Sequence, residues 1–177
     1  MDKHGPSLFL KDHLDLIMSL TGPGPVLDLA CGRGHNGLFL AKKGLEVHFW
    51  DVSQEKLEGI EAQAAKLNLK ASTRQVDLES GNTGILPLDF YRLVMVFKYL
   101  HRPLMTDIKN SVQPGGTVIY ETFTTEQARI GKPENPDFLL KKNELLDFFH
   151  DWCIVDHYQG RFENPQRYMA GIIARKV

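Results

Sequence analysis

The chain has 177 residues, 42% hydrophobic and 24% charged, with 21 basic against 22 acidic side chains and a pI near 6.7. That length predicts one domain spanning residues 1–177 and leaves no room for a separate substrate domain, and the average composition excludes a disordered or fibrous chain. A formal charge of −1 excludes the global basic field that gathers phosphate backbones, so nucleic acid is not indicated as a partner.

The opening Met1-Asp2-Lys3-His4-Gly5-Pro6 lacks the apolar core of a secretory signal, and no apolar run reaches spanning length. The expectation is a cytoplasmic protein without a membrane partner. Ser7 to Leu20 reads as a helix capped by Ser7, with Leu10, Leu14, Ile17 and Met18 on one face, ended by Thr21-Gly22-Pro23-Gly24-Pro25. Val26 to Ala30 is a buried strand, followed by the turn Cys31-Gly32-Arg33-Gly34-His35-Asn36-Gly37 and a helix carrying Leu38, Leu40 and Ala41. Cys31 and Cys153 are the only cysteines and lack paired spacing, so reduced thiols and no metal site are expected.

Glu46 to Asp51 is a second strand, and Ser53 can cap a helix from Gln54 to Leu67. Ala71 to Val76, Leu93 to Phe97 and Thr117 to Tyr120 read as further strands, with a helix from Leu104 to Ser111. Strands alternating with helices predict a doubly wound α/β fold with a mostly parallel sheet. Glu144 to Phe149 is a short helix; Cys153 to Tyr158 and Tyr168 to Ala174 then predict an antiparallel C-terminal hairpin at the sheet edge. The irregular stretch from Phe123 to Lys142 is long enough to suggest a functional loop.

Gly32 to Gly37 satisfies G-x-G-x-x-G, a pattern that brings backbone close to a ligand at a helix N-terminus. Asp28, four residues before the first glycine, argues against a dinucleotide. A buried carboxylate repels pyrophosphate and suits a ligand carrying an ammonium and a sulfonium.

The segment Val26-Leu27-Asp28-Leu29-Ala30-Cys31-Gly32-Arg33-Gly34 closely resembles the first motif of class I S-adenosylmethionine-dependent methyltransferases. The resemblance extends through Leu93 to His101, Gln113-Pro114-Gly115-Gly116-Thr117 and the closing Tyr168 to Lys176. One departure is that Tyr91-Arg92 stands where an acidic residue often starts the fourth strand. The resemblance implies a Rossmann-like seven-stranded sheet and S-adenosyl-L-methionine as cofactor, with S-adenosyl-L-homocysteine as product. Asp28 and Gly32 would hold the amino-acid end, Asp51 the ribose, and Asp77 with Leu78 the adenine. Ala30, Cys31, Gly34, Asn36, Val52, Val76 and Phe97 would complete the cofactor pocket.

Methyl transfer needs alignment and a dry site, and a base only where the acceptor carries a proton. His101 and Tyr120 are the candidates for such a role, although a packed histidine or a hydrogen-bonded tyrosine fits the same positions. Arg102, Glu121, Arg129 and Arg161 are candidates for substrate contact, with Lys132 and Arg167 as further loop cations; Tyr120 and Glu121 are expected in one pocket. Within the superfamily the final third looks most like the tellurite-resistance methyltransferases, which implies a small-molecule acceptor such as a chalcogen oxyanion. The hairpin has Gly160 before Arg161 where those enzymes carry a His-Arg pair. A silent cofactor-binding module, an RNA or protein methyltransferase and a nicotinamide dehydrogenase are the other readings, and a monomer or homodimer the expected state.

Overall fold

The computed structural model describes residues 5–20, 22–81 and 84–177; Met1 to His4 and Thr21, on which parts of the N-terminal reading rest, lie outside the described residues. Among the described residues the strands are Val26–Leu29 (β1), Val47–Asp51 (β2), Ala71–Gln75 (β3), Tyr91–Phe97 (β4), Val112–Phe123 (β5), Cys153–Glu163 (β6) and Gln166–Arg175 (β7). The helices are Leu8–Asp12 (α1), Leu14–Leu20 (α2), His35–Ala41 (α3), Gln54–Lys66 (α4), Met105–Ser111 (α5) and Glu144–Phe148 (α6).

All seven strands form one sheet in the order β3-β2-β1-β4-β5-β7-β6. The first five run parallel, and β7 pairs antiparallel with both β5 and β6. This is the Rossmann-like α/β sheet with an antiparallel C-terminal hairpin that the sequence predicts. Chain order reverses between β1 and β4, which places the ligand crevice of such sheets at the carboxyl ends of these strands.

β1 is buried along its whole length, Asp28 included, as a strand covered on both faces must be. Strand alternation divides the core. Leu27, Leu29, Val94, Val96, Val118 and Tyr120 face one layer with Ile108 and Leu145, while Val26, Phe49, Met95 and Ile119 face Leu38 and Ile60.

Several expectations change. The N-terminal helix is two short ones, broken at His13, although the Ser7 side chain does accept the Phe9 N–H. Ser53 sits at the start of α4 without a side-chain cap; its own N–H donates instead to Asp51 Oδ1 at 3.0 Å. β5 begins at Val112, with a bulge against β4 between Tyr91 and Leu93, because Val112 pairs with Tyr91 before the Gly115-Gly116 turn and the ladder resumes at Thr117. Both hairpin arms run past their predicted ends, so that Arg161 pairs with Tyr168 and Phe162 with Arg167. Arg161 and Arg167 therefore lie on strands, not in a loop. The stretch after β5 is also less irregular than expected: it holds 3-10 turns at Thr125–Arg129 and Pro136–Phe138, and a bridge from Thr124 to Leu140.

Candidate functional site

β1 runs into Ala30, whose φ of 53° is left-handed backbone in a residue with a side chain. Such strain persists where the surroundings impose it, and it concentrates at functional turns. Gly32 and Gly34 follow with φ of 56° and 68°. A Cβ on Gly34 would fall 2.7 Å from Ile60 Cδ1, whereas one on Gly32 would meet nothing within 4 Å. The loop is thus packed on α4 from beneath and open at Gly32. At Gly37 a Cβ would lie 2.3 Å from Phe49 Cε1 and 2.7 Å from Asp28 Oδ2, so only glycine lets α3 approach the strands this closely.

That approach organises the carboxylates. Asp28, only 2% exposed, accepts the Gly37 N–H on Oδ2 at 2.8 Å. Burial, opposed by that hydrogen bond and aided by the charge of Asp51, pushes its pKa up to about 7. Asp51 ends β2 at 6% exposure. Its Oδ2 accepts the Gly32 N–H at 2.7 Å, its Oδ1 accepts the Ser53 N–H, and Lys56 Nζ stands 3.8 Å away. The carboxylate is therefore oriented before any ligand arrives. Asp77 is exposed two residues past β3, accepting the Glu79 N–H at 2.9 Å. It follows the third strand, at the start of a turn.

Val76 N–H donates to the Asp51 carbonyl, Val52 is 61% exposed beyond β2, and Leu78 is buried. Phe97 closes β4 half-buried. Burial and the charges of Asp28 and Asp51 push the Cys31 thiol far up, so it stays protonated and unreactive at this loop. Asn36 Oδ1 accepts the Ser7 N–H at 2.8 Å and so ties α3 to the start of α1.

The acceptor candidates separate. Tyr120 is fully buried on the opposite face from Glu121 and donates to the Tyr99 carbonyl at 2.9 Å. Neighbours on a strand cannot share a face, which overturns the single pocket for Tyr120 and Glu121 and removes Tyr120 as a catalytic candidate. Glu121 is buried as well, accepting the hydroxyls of Ser7 and Tyr158 at 2.5 Å each. Ser7 and Tyr158, 114 and 37 residues away in sequence, carried no local signal for this contact.

Arg102 is committed elsewhere. It donates to both carboxylate oxygens of Glu144, at 2.6 and 2.9 Å, and to the Asp137 and Leu139 carbonyls at 2.9 Å each. It is a clasp for the loop after β5, a correction to its assignment to substrate. Arg102→Met should lower the melting temperature by roughly 4–8 °C, the equivalent of about 2 kcal/mol in a chain of this size. A thermal melt checks this, and faster proteolysis between Thr124 and Leu140 should accompany it. Arg161 is exposed and paired with Glu163 at 3.3 Å, Arg167 lies 5.1 Å over the Phe162 ring, and Arg129 is exposed at the end of a 3-10 turn. His101 is half-buried at the start of the turn after β4, where its carbonyl accepts the Leu104 N–H.

A cleft of about 510 Å³ opens at the carboxyl ends of β4 and β5, beneath the loop that Arg102 clasps. Glu79, Lys98, Tyr99, Thr122, Phe123 and Phe138 are among its walls. Lys98, like Ala30, has left-handed backbone at a strand's carboxyl end, with φ of 56°. None of these six was a sequence candidate, although Lys98 and Tyr99 directly follow the fourth strand, where α/β sheets place ligands. Glu79, one of these walls, is fixed to Asp77 through its backbone N–H.

Comparison with known proteins agrees with this geometry. The family model described as tellurite resistance protein TehB matches residues 11–164. A probable S-adenosyl-L-methionine-dependent methyltransferase TehB from Haemophilus influenzae (strain 10810) is 28% identical over 149 residues, which is 81% of this chain and 51% of that protein. The chain thus spans about half the length of the curated relatives it matches first. A crystal structure of TehB from Haemophilus influenzae aligns with a TM-score of 0.77 at 23% identity, covering 94% of this chain and 62% of that one. Geranyl diphosphate C-methyltransferase from Streptomyces coelicolor A3(2), solved with S-adenosyl-L-homocysteine, shares the fold at a TM-score of 0.70 and 13% identity, over 94% of this chain and 77% of its own. With the glycine loop, the carboxylate pair and the sheet order already placing it among the class I S-adenosylmethionine-dependent methyltransferases, the chain belongs to the TehB family.

Proposed function

We propose that this chain binds S-adenosylmethionine across the ends of β1 and β2 and directs its methyl to a small nucleophile seated in the adjoining cleft. The observation that carries this reading is the pairing of two buried carboxylates, Asp28 and Asp51, beside a loop that is open at Gly32. Two like charges held in a dry site are costly without a cation between or beside them, and the nearest basic group, Lys56, reaches only Asp51. A ligand with an ammonium and a sulfonium fits that donor set; a pyrophosphate does not.

When bound, the cofactor supplies a methyl already activated by the sulfonium. The remaining work falls to the chain. Asp28 and Gly32 hold the amino-acid end, Asp51 accepts the ribose hydroxyls, and Asp77 with Leu78 meets the adenine. The loop after β5, anchored through Arg102, shields the acceptor from water, and holding the two reactants in line is worth roughly 7–11 kcal/mol of barrier. The family description favours a chalcogen oxyanion as one acceptor for this site.

The pKa of Asp28 gives the test. Ionised Asp28 attracts the ammonium and protonated Asp28 does not, so affinity rises with pH through about 7. Calorimetric titration with S-adenosylmethionine should give about tenfold weaker binding at pH 6 than at pH 8. Folding follows the opposite sign. Between the ordinary 3.8 and about 7 the folded chain keeps a proton that the unfolded chain releases, so stability falls as pH rises through that window. Asp28→Asn should flatten both slopes. Absence of binding at either pH defeats the reading.

A further inference from the structure

Glu121 is a buried carboxylate to which the methyl-transfer reading assigns no task. It is 4% exposed and accepts two hydroxyls, Ser7 on Oε2 and Tyr158 on Oε1, at 2.5 Å each. No ion pair among the described residues engages it. Taking a carboxylate out of water without a cation is unfavourable, so stability alone does not account for one here.

The sheet is shaped to let Tyr158 reach this group. Glu121 on β5 pairs with Gly171 on β7, and Gly171 pairs in turn with Tyr158 on β6. A Cβ on Gly171 would overlap Tyr158 Cε1 and stand 3.0 Å from Phe9 Cε1. Only glycine therefore lets the tyrosine ring lie across β7, 5.0 Å from the Phe9 ring, with its hydroxyl on Glu121 two strands away. Burial and the charge of Glu121 push the Tyr158 pKa up, so the hydroxyl keeps the proton it donates.

Ser7 carries the path onward. Its hydroxyl donates to Glu121, its Oγ accepts the Phe9 N–H at 3.1 Å, and its own N–H donates to Asn36 Oδ1 at 2.8 Å. Capping α1 needs only the Phe9 contact. The other two tie the start of α1 to β5 on one side and to the first turn of α3 on the other. Asn36 stands two residues past Gly34 and directly before Gly37, whose N–H holds Asp28. By strand alternation Asp28 shares its sheet face with Val26, and Glu121 with Ile119, and both apolar residues lie in the core layer of α3. Glu121 and Asp28 are thus on the same face, separated by β4. One hydrogen-bonded path, Tyr158 to Glu121 to Ser7 to Asn36, runs from the edge hairpin past the end of β4 to the helix that follows the glycine loop.

Resting on the cofactor reading above, we propose that Glu121 is a positioning residue for S-adenosylmethionine: it holds Ser7 against Asn36, so that the segment from Gly5 to Phe9 walls the amino-acid end of the crevice. Tyr158 sets how firmly that wall is held. The ligand leaves when the wall loosens, so cutting the path acts on dissociation.

The test uses the whole chain and S-adenosylhomocysteine, with calorimetry for affinity and stopped-flow displacement for the dissociation rate. Ser7→Ala should raise the dissociation constant about tenfold, the size of one hydrogen bond to a charged group, through faster dissociation at an unchanged association rate. Ser7→Thr keeps the hydroxyl and should bind within about twofold of wild type. Tyr158→Phe keeps the ring and should weaken binding by about threefold. Added to Ser7→Ala, it should weaken binding no further, because the path is already cut. Glu121→Ala should match Ser7→Ala, and where it does not fold the other three variants still decide. Wild-type affinity in Ser7→Ala overturns the proposal, as do additive losses in the double variant or failure of Ser7→Thr to restore binding. A Tyr158→Phe variant with a lower melting temperature and unchanged affinity does the same, since the contact is then packing alone. If the wild-type chain does not bind S-adenosylhomocysteine, the methyl-transfer reading fails and this role for Glu121 goes with it.

Discussion

Asp51→Ala should weaken S-adenosylhomocysteine binding by about a hundredfold or more, with the chain still folded. Hydrogen bonds to a charged group contribute about 1.5–3 kcal/mol each, and 1.4 kcal/mol is tenfold in affinity, so losing two ribose contacts accounts for that factor. A second loss compounds it. The Gly32 N–H donates to Asp51 Oδ2 at 2.7 Å, and removing its acceptor frees the loop that would hold the amino-acid end of the ligand. Asp51→Asn is the informative companion. Both oxygens of Asp51 already face backbone donors, from Gly32 and Ser53, so an amide must turn its NH2 against one of them. The asparagine variant should therefore bind nearly as poorly as the alanine variant. Calorimetry on variants whose circular-dichroism melts match wild type decides the matter, and an unchanged dissociation constant for Asp51→Ala would remove Asp51 from the ribose site.

Gly37→Ala should damage stability and ligand binding together. The added methyl has to enter space where Phe49 Cε1 stands 2.3 Å and Asp28 Oδ2 2.7 Å from it, so α3 must retreat from the sheet. Overpacking of this kind costs about 1–3 kcal/mol, which in a chain of this size lowers the melting temperature by roughly 2–12 °C. Retreat of α3 also withdraws the Gly37 N–H from Asp28, leaving a buried carboxylate without that donor. In a Phe49→Leu background the same substitution should cost less, because the ring edge is gone, and a double-mutant cycle reads that coupling. Additive effects of the two changes would show that the methyl does not meet Phe49.

The order of elements was legible in the sequence because it is written in local pattern. Val26–Leu29 is apolar except for Asp28 and has to be buried on both faces; Gly32 and Gly34 permit left-handed backbone where the chain turns from strand to helix. The positions of Asp28 and Asp51 follow from the same counting, since each sits at or near the end of its strand. The partners of individual side chains were not legible. Arg102 reads as a free cation after the fourth strand until folding brings Glu144, 42 residues on, within 2.6 Å. Glu121 reads as an open pocket residue until Ser7 and Tyr158 close over it, and Arg161 as a loop cation until the hairpin arms lengthen around it. Periodicity and turn chemistry act between near neighbours, so the sequence alone determined which elements form and where their ends converge. Contacts across dozens of residues depend on how those elements pack, and only the tertiary structure decided which charged groups are engaged within the fold and which face the cleft.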